Sequence, residues 1–288
     1  MLSRWLRNES LLLGLALLLT SCGGSEVSTT VRSTTPPPVT TTTMAATTTT
    51  ATASTTTTTS TTPTTLPTTT SAPATTTTVP VTTTVPVGPS QLIWRADTTE
   101  RVVSLTFDAG SDRGFGEEIL DYLADQGISA TFGMTGTWAE SNPDLLQRMV
   151  AEGHTLINHT YNHPHMETLT TAERLDQLER TEAVVLGLTG TSMIPYFRPP
   201  YGAYNNQVLA DVGAAGYRYS IMWTVDSLGW KGIPATEVTE RCLSKVEPGA
   251  IFLLHVGAKS TDFAALPAIV SGLRDAGFQF ATIPELIP

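Results

Sequence analysis

The chain has 288 residues and a formal net charge of −10 at neutral pH, with 16 Lys+Arg against 26 Asp+Glu. From Asp97 onward there are 24 acidic and 12 basic residues. That balance argues against nucleic acid, or a strongly anionic polymer, as the main ligand. The two cysteines, Cys22 and Cys242, provide no disulfide framework, so the folded part must rest on its hydrophobic core.

In chain order, Arg4 and Arg7 precede an apolar run from Leu11 to Leu19, too short to span a membrane comfortably, and small residues then lead to Cys22. This is the layout of a secretory signal. Leu19-Thr20-Ser21-Cys22-Gly23 resembles a bacterial lipoprotein signal, in which Cys22 becomes the acylated first residue of the mature chain. An ordinary cleaved signal is the alternative. Residues 1–22 are therefore expected to be a signal peptide ending at a lipidated Cys22, anchoring the protein outside the bacterial cytoplasmic membrane. Residues 23–95 are expected to form a disordered Thr/Pro-rich stalk. Between 28 and 90 threonine dominates and Arg32 is the only charge, so there is too little apolar surface to offset the entropy of ordering.

Residues 96–288 read as one domain. Val102–Phe107 is a continuous apolar, β-branched run that predicts a strand buried on both faces, ending at Asp108. A helix is expected over Phe115–Gln126, a strand over Ser129–Gly133, a helix starting at Asn142-Pro143 and a strand over His154–Asn158. A long helix capped by Thr170 or Thr171 follows, then short strands at Tyr196–Arg198 and Tyr217–Thr224, separated by a helix over Asn205–Ala214. Helices from Ala235 and from Thr261, and strands at Ala250–Leu254 and Phe278–Ala281, complete the pattern. Strand and helix alternate about seven times. This predicts a parallel sheet with crossover helices, either a distorted (β/α) barrel or an open doubly wound sheet.

Polar residues recur just past the strand ends: Asp108, His159 with His163, Arg198, Asp226 and His255. In a barrel these points converge on one mouth, which favours the barrel. If residues 159–163 form a helical turn, the two imidazoles face the same way and can chelate a divalent ion. Pro199 and Pro200 fix the turn after Arg198, so its guanidinium can pin a carboxylate such as Asp108. His255 ends a buried strand and could serve as a general acid. Each residue also has a plainer reading: Asp108 as a helix cap, the histidines as exposed loop residues, Arg198 as a surface arginine in a turn.

As a set, Thr106-Phe107-Asp108-x-Gly110, His159-Thr160-x-x-His163, Arg198-x-Pro200-Tyr201-Gly202, Asp226-Ser227-x-x-Trp230 and Leu253-Leu254-His255 resemble the polysaccharide deacetylases, the NodB-homology enzymes of carbohydrate esterase family 4. The resemblance spans about residues 100–285. It implies a distorted (β/α) barrel that removes acetyl groups from a polysaccharide with one divalent metal, usually zinc, with cobalt or nickel as alternatives. Acetylated peptidoglycan is the nearest polymer for an envelope protein. Asp108 is then the base and Arg198 its orienter, with His159 and His163 as metal ligands. Tyr201, beside Pro200, gives a backbone donor to the oxyanion, His255 is the acid, and Trp230 belongs to the substrate site.

Two departures stand out. Ala109 occupies the position of the family's usual third protein ligand and cannot coordinate, so Asp112 is a candidate replacement; Asp108 itself or water are the other options. Gly229 replaces an acid often found before the tryptophan, so a carboxylate tuning His255 would have to be Asp226, or is missing. A catalytically degenerate, glycan-binding lipoprotein is the competing reading.

Overall fold

The computed structural model describes residues 88–287. The expected signal, Cys22 and nearly all of the expected stalk lie outside the described residues. The first strand, β1 (Gln91–Ile93), falls within the stretch assigned to the stalk, yet it pairs in register with a strand of the domain. The longest strand, β2 (Val102–Ala109), is followed by α1 (Gly116–Gln126), β3 (Thr131–Met134), α2 (Gly136–Ser141), α3 (Pro143–Ala151) and β4 (Thr155–Asn158). Then come α4 (Thr171–Thr189), β5 (Tyr196–Phe197), α5 (Asn206–Ala214), β6 (Tyr219–Ile221), β7 (Val225–Asp226) and α6 (Ala235–Ser244). The chain ends with β8 (Ile251–His255), α7 (Asp262–Asp275), β9 (Gln279–Phe280) and α8 (Ile283–Leu286).

The strands run in the order β1-β6-β5-β4-β3-β2-β8-β7, every neighbour parallel, with β9 added beside the start of β2. This is a curled, incompletely closed (β/α) barrel. The strand expected over Tyr217–Thr224 is shorter, β6 (Tyr219–Ile221), and β7 begins only after it at Val225, because the chain passes from one edge of the opening to the other between them. The Met222 amide bonds to the Ile93 carbonyl on one side, and the Thr224 amide to Ile251 on the other.

Strand alternation sorts the side chains. Val103, Leu105, Phe107 and Ala109 of β2 belong to the large core shared with the helices. Ile157, Ile221 and Ile251 point inward, where Ile283 and Leu286 of α8 pack against them. Inward-facing residues share one parity along each strand, so continuing Ile157 by two residues gives His159, and Ile251 gives Leu253 and then His255. Asp108 lies on the inner side by the same rule. Local chemistry fixes the helix ends: Thr170 and Glu173 form a reciprocal capping box on α4, and Gly127 ends α1 with φ 62°.

Candidate active site

The inner residues at the C-terminal ends of the strands line one cleft of about 480 Å³, which includes Asp108, His159, His163, Tyr201, Trp230 and His255. Asp108 sits opposite Gly133 in the β2–β3 register. A Cβ at Gly133 would collide with the Asp108 carboxylate, so the glycine makes the room the acid needs. Sequence reading missed this; a glycine inside an apolar strand was the available signal.

Arg198 is fully buried. Its Nη1 donates to Asp108 Oδ1 at 2.8 Å and its Nε to the Ile221 carbonyl at 3.0 Å. Burial alone would raise the Asp108 carboxyl, but the charge and hydrogen bond of Arg198 oppose it, and the group lies below its ordinary range. The plain readings of Asp108 as a helix cap and Arg198 as a surface residue are thus set aside.

His159 and His163 do come together, with ring centroids 4.8 Å apart, but not through a helical turn. Thr160 and His163 both have positive φ, 68° and 60°, so the segment is a kinked loop. The Asn158 side chain braces it: Oδ1 accepts the Thr160 amide, while Nδ2 donates to Leu178 O and Tyr217 Oη. His159 Nδ1 lies 2.9 Å from the Arg198 carbonyl. A carbonyl can only accept, so Nδ1 carries the proton and Nε2 presents a lone pair. That lone pair is 3.5 Å from Asp108 Oδ2. Burial lowers the proton affinity of His159, and it lowers His163 to about 4, so both imidazoles are neutral near pH 7.

Two bare acceptors facing each other with no proton between them suit a cation, and a second neutral imidazole stands beside them. The two imidazoles supply a pair of neutral nitrogen donors of the kind a divalent metal takes, with the Asp108 carboxylate beside them. Asp112 does not join them. Its carboxylate accepts the Ala258 amide at 2.8 Å and its carbonyl accepts Trp138 Nε1, which holds an exposed loop rather than the cleft. Among the described residues no group of three His, Cys, Asp or Glu is arranged to hold a metal ion. Ala109 packs in the helix-side core.

The carboxylate beside His255 is also not the one expected. Asp226 lines the cleft, but it pairs with Leu253 in the sheet and its Oδ1 accepts the Leu228 amide. Asp262, the first residue of α7, instead accepts the His255 amide at 2.8 Å and lies 3.3 Å from His255 Nδ1. Sequence reading missed Asp262 because it lies seven residues beyond His255, past a turn whose path the sequence does not reveal.

Tyr201 stands at the cleft edge in a left-handed conformation, φ 60°, and is largely exposed. Its ring meets His163 edge-on at 4.4 Å and stacks on His165 at 4.2 Å. Pro199 rather than Pro200 lines the cleft; Pro200 is buried under the turn. Trp230 is half exposed and also lines the cleft. Two partly exposed aromatic side chains lining one polar cleft suit the flat faces of sugar rings.

The model of the polysaccharide deacetylase family matches residues 95–220. The peptidoglycan-N-acetylmuramic acid deacetylase PdaA of Bacillus subtilis is 31% identical over 194 residues, 66% of this chain and 73% of its own length. The crystal structure of the peptidoglycan N-acetylglucosamine deacetylase Bc1960 aligns with a TM-score of 0.65 and 31% identity, over 68% of this chain and 92% of that one. BA3943 of Bacillus anthracis, a family 4 pseudoenzyme, aligns with a TM-score of 0.64 and 30% identity, over 68% of each chain. By family model, sequence and fold alike, this chain belongs to the polysaccharide deacetylases of carbohydrate esterase family 4.

Proposed function

We propose that this chain is a metal-dependent hydrolase that removes acetyl groups from an N-acetyl sugar of peptidoglycan, outside the bacterial membrane and anchored there through Cys22. The observation that carries the chemistry is the pairing at the cleft floor. An ionised carboxylate is clamped by a buried guanidinium, and a neutral imidazole lone pair faces it. The anchor rests on the signal sequence alone.

His159 and His163 would hold the ion, with water completing its shell; zinc suits two neutral nitrogens, and cobalt or nickel fit the same pair. When bound, the metal polarises the acetyl carbonyl and acidifies water. The rest falls to the chain's own groups. Asp108, kept ionised by Arg198, removes a proton from the attacking water. The backbone amide of Tyr201 donates to the oxyanion that forms on the acetyl oxygen. His255 gives a proton to the departing sugar nitrogen. Tyr201 and Trp230 support the sugar. PdaA and Bc1960, both named for peptidoglycan, support that polymer as the substrate.

The purified chain loaded with zinc is expected to release acetate from peptidoglycan, and Asp108→Asn to abolish release while the fold is kept. Failure of the loaded parent to release acetate from peptidoglycan overturns the reading. Ala109 and the likeness to a pseudoenzyme favour one alternative, a domain that binds glycan without cleaving it. That alternative predicts co-sedimentation with peptidoglycan and no acetate.

A further inference from the structure

We infer that Asp262 is the positioning residue that sets the tautomer and direction of the His255 imidazole, and that Gly229 is the residue that admits it. This rests on the reading of His255 as the acid. The geometry begins with a buried charge. Asp262 is fully buried, and its Oδ2 gathers three donors or potential donors: the His255 amide at 2.8 Å, Ser260 Oγ at 2.8 Å and His255 Nδ1 at 3.3 Å. Ser260 Oγ is within 3.2 Å of the Asp262 amide as well, so it holds the carboxylate from both sides. Asp262 Oδ1 is buried with no hydrogen-bond partner among the described residues.

A buried, half-satisfied carboxylate is costly, and one found in a native fold calls for a reason. A helix cap needs only the backbone bonds at the start of α7. It does not need the carboxylate turned back to a histidine in the cleft. With Oδ2 beside it, Nδ1 of His255 is the favoured site for the ring proton in the neutral form, which leaves Nε2 as the atom that exchanges a proton with the leaving group. The remaining titratable neighbours do not compete for this role. Among the described residues only Asp262 lies within ion-pair distance of His255, while Asp226 Oδ1 accepts the Leu228 amide and Asp108 Oδ1 accepts from Arg198.

Gly229 explains how a residue from the start of α7 can reach this place. A Cβ built on Gly229 would run into both Oδ1 and Cγ of Asp262. Any side chain there would evict the carboxylate, so the glycine just before Trp230 and the acid at position 262 occupy one volume between them. The two positions, 33 residues apart in the sequence, form one exchangeable unit: a carboxylate can be supplied from either, but not from both.

The test has two independent readouts. In the metal-free protein at alkaline pH, the ¹⁵N imidazole shifts of His255 should show one Nδ1-protonated tautomer, and Asp262→Ala should give a mixture. In the zinc-loaded chain, Asp262→Asn and Asp262→Ala should lower kcat on N-acetylchitooligosaccharide by about 100-fold, within the range for general acid catalysis, with KM little changed. Both should lower turnover of 4-nitrophenyl acetate by less than about threefold, since that leaving group departs without a proton. Gly229→Asp combined with Asp262→Ala should recover at least about tenfold of the lost amide activity. Equal losses on both substrates, an unchanged tautomer in Asp262→Ala, or no recovery in the paired exchange would each overturn the inference. A parent inactive on both substrates would instead count against the proposed function, and the tautomer readout would still decide the role of Asp262.

Discussion

Replacing Arg198 by Met keeps most of its volume and removes its charge. In the parent the Arg198 side chain is 0% exposed and that of Asp108 10%, and they are joined at 2.8 Å. Truncating one partner of a buried pair leaves the other charge without compensation, which costs about 3–5 kcal/mol. That is about a fifth or more of a typical domain stability of about 5–15 kcal/mol. The carbonyls of Ile221 and Met222 would lose their donors in the same step. Asp108→Asn alone should cost less, since Arg198 keeps its carbonyl partners. The double variant Asp108→Asn/Arg198→Met should recover part of the loss, because no buried charge is left. Urea denaturation of all four proteins gives the coupling energy. The sign with pH follows from the lowered Asp108 carboxyl. Its pairing stabilises the fold above the ordinary carboxylate range and is lost as pH falls through the lower folded value, so parent and Arg198→Met should converge in acid. If the two substitutions add within about 0.5 kcal/mol, the guanidinium is not compensating Asp108 and the account of the site fails.

Gly133→Ala should push Asp108 away from Arg198, cutting acetate release at least about tenfold and costing about 1–3 kcal/mol by overpacking; parental activity would show that the carboxylate has room to spare. His159→Ala and His163→Ala should each weaken zinc binding by at least about tenfold in calorimetric titration, on the scale seen when a metal site loses a supporting group, and undiminished affinity would remove the chelate. His154 accepts the Ala130 amide on Nδ1 while its Nε2 has no hydrogen-bond partner among the described residues, Glu152 Oε2 lying 3.8 Å away, and burial lowers its proton affinity. The unfolded chain therefore takes up a proton near pH 6.5 that the folded chain refuses, so stability should decline as pH falls below that point. His154→Asn should flatten this decline, and an unchanged pH profile would refute it.

The sequence by itself determined the elements and the residues that could be chemical. The apolar run into Asp108, a threonine cap at 170 or 171 and the helix over Phe115–Gln126 are local facts, written in neighbouring residues, and the structure keeps them, with the cap at Thr170. Strand parity then carries Asp108, His159 and His255 inward without further information, because side chains alternate with a period of two. Other features depended on residues far apart in the chain. β1 was hidden because three residues beside a threonine-rich tract carry little pattern until β6 gives them partners. The histidine pair meets through two left-handed residues braced by Asn158, not through helical spacing. Asp112 is near Asp108 in sequence, yet its carboxylate goes to Ala258, 146 residues away. The carboxylate beside His255 comes from Asp262, in space left by Gly229. Spacing along a chain says which residues are able to meet. Only packing, where one missing Cβ opens the volume another side chain fills, decides which of them do.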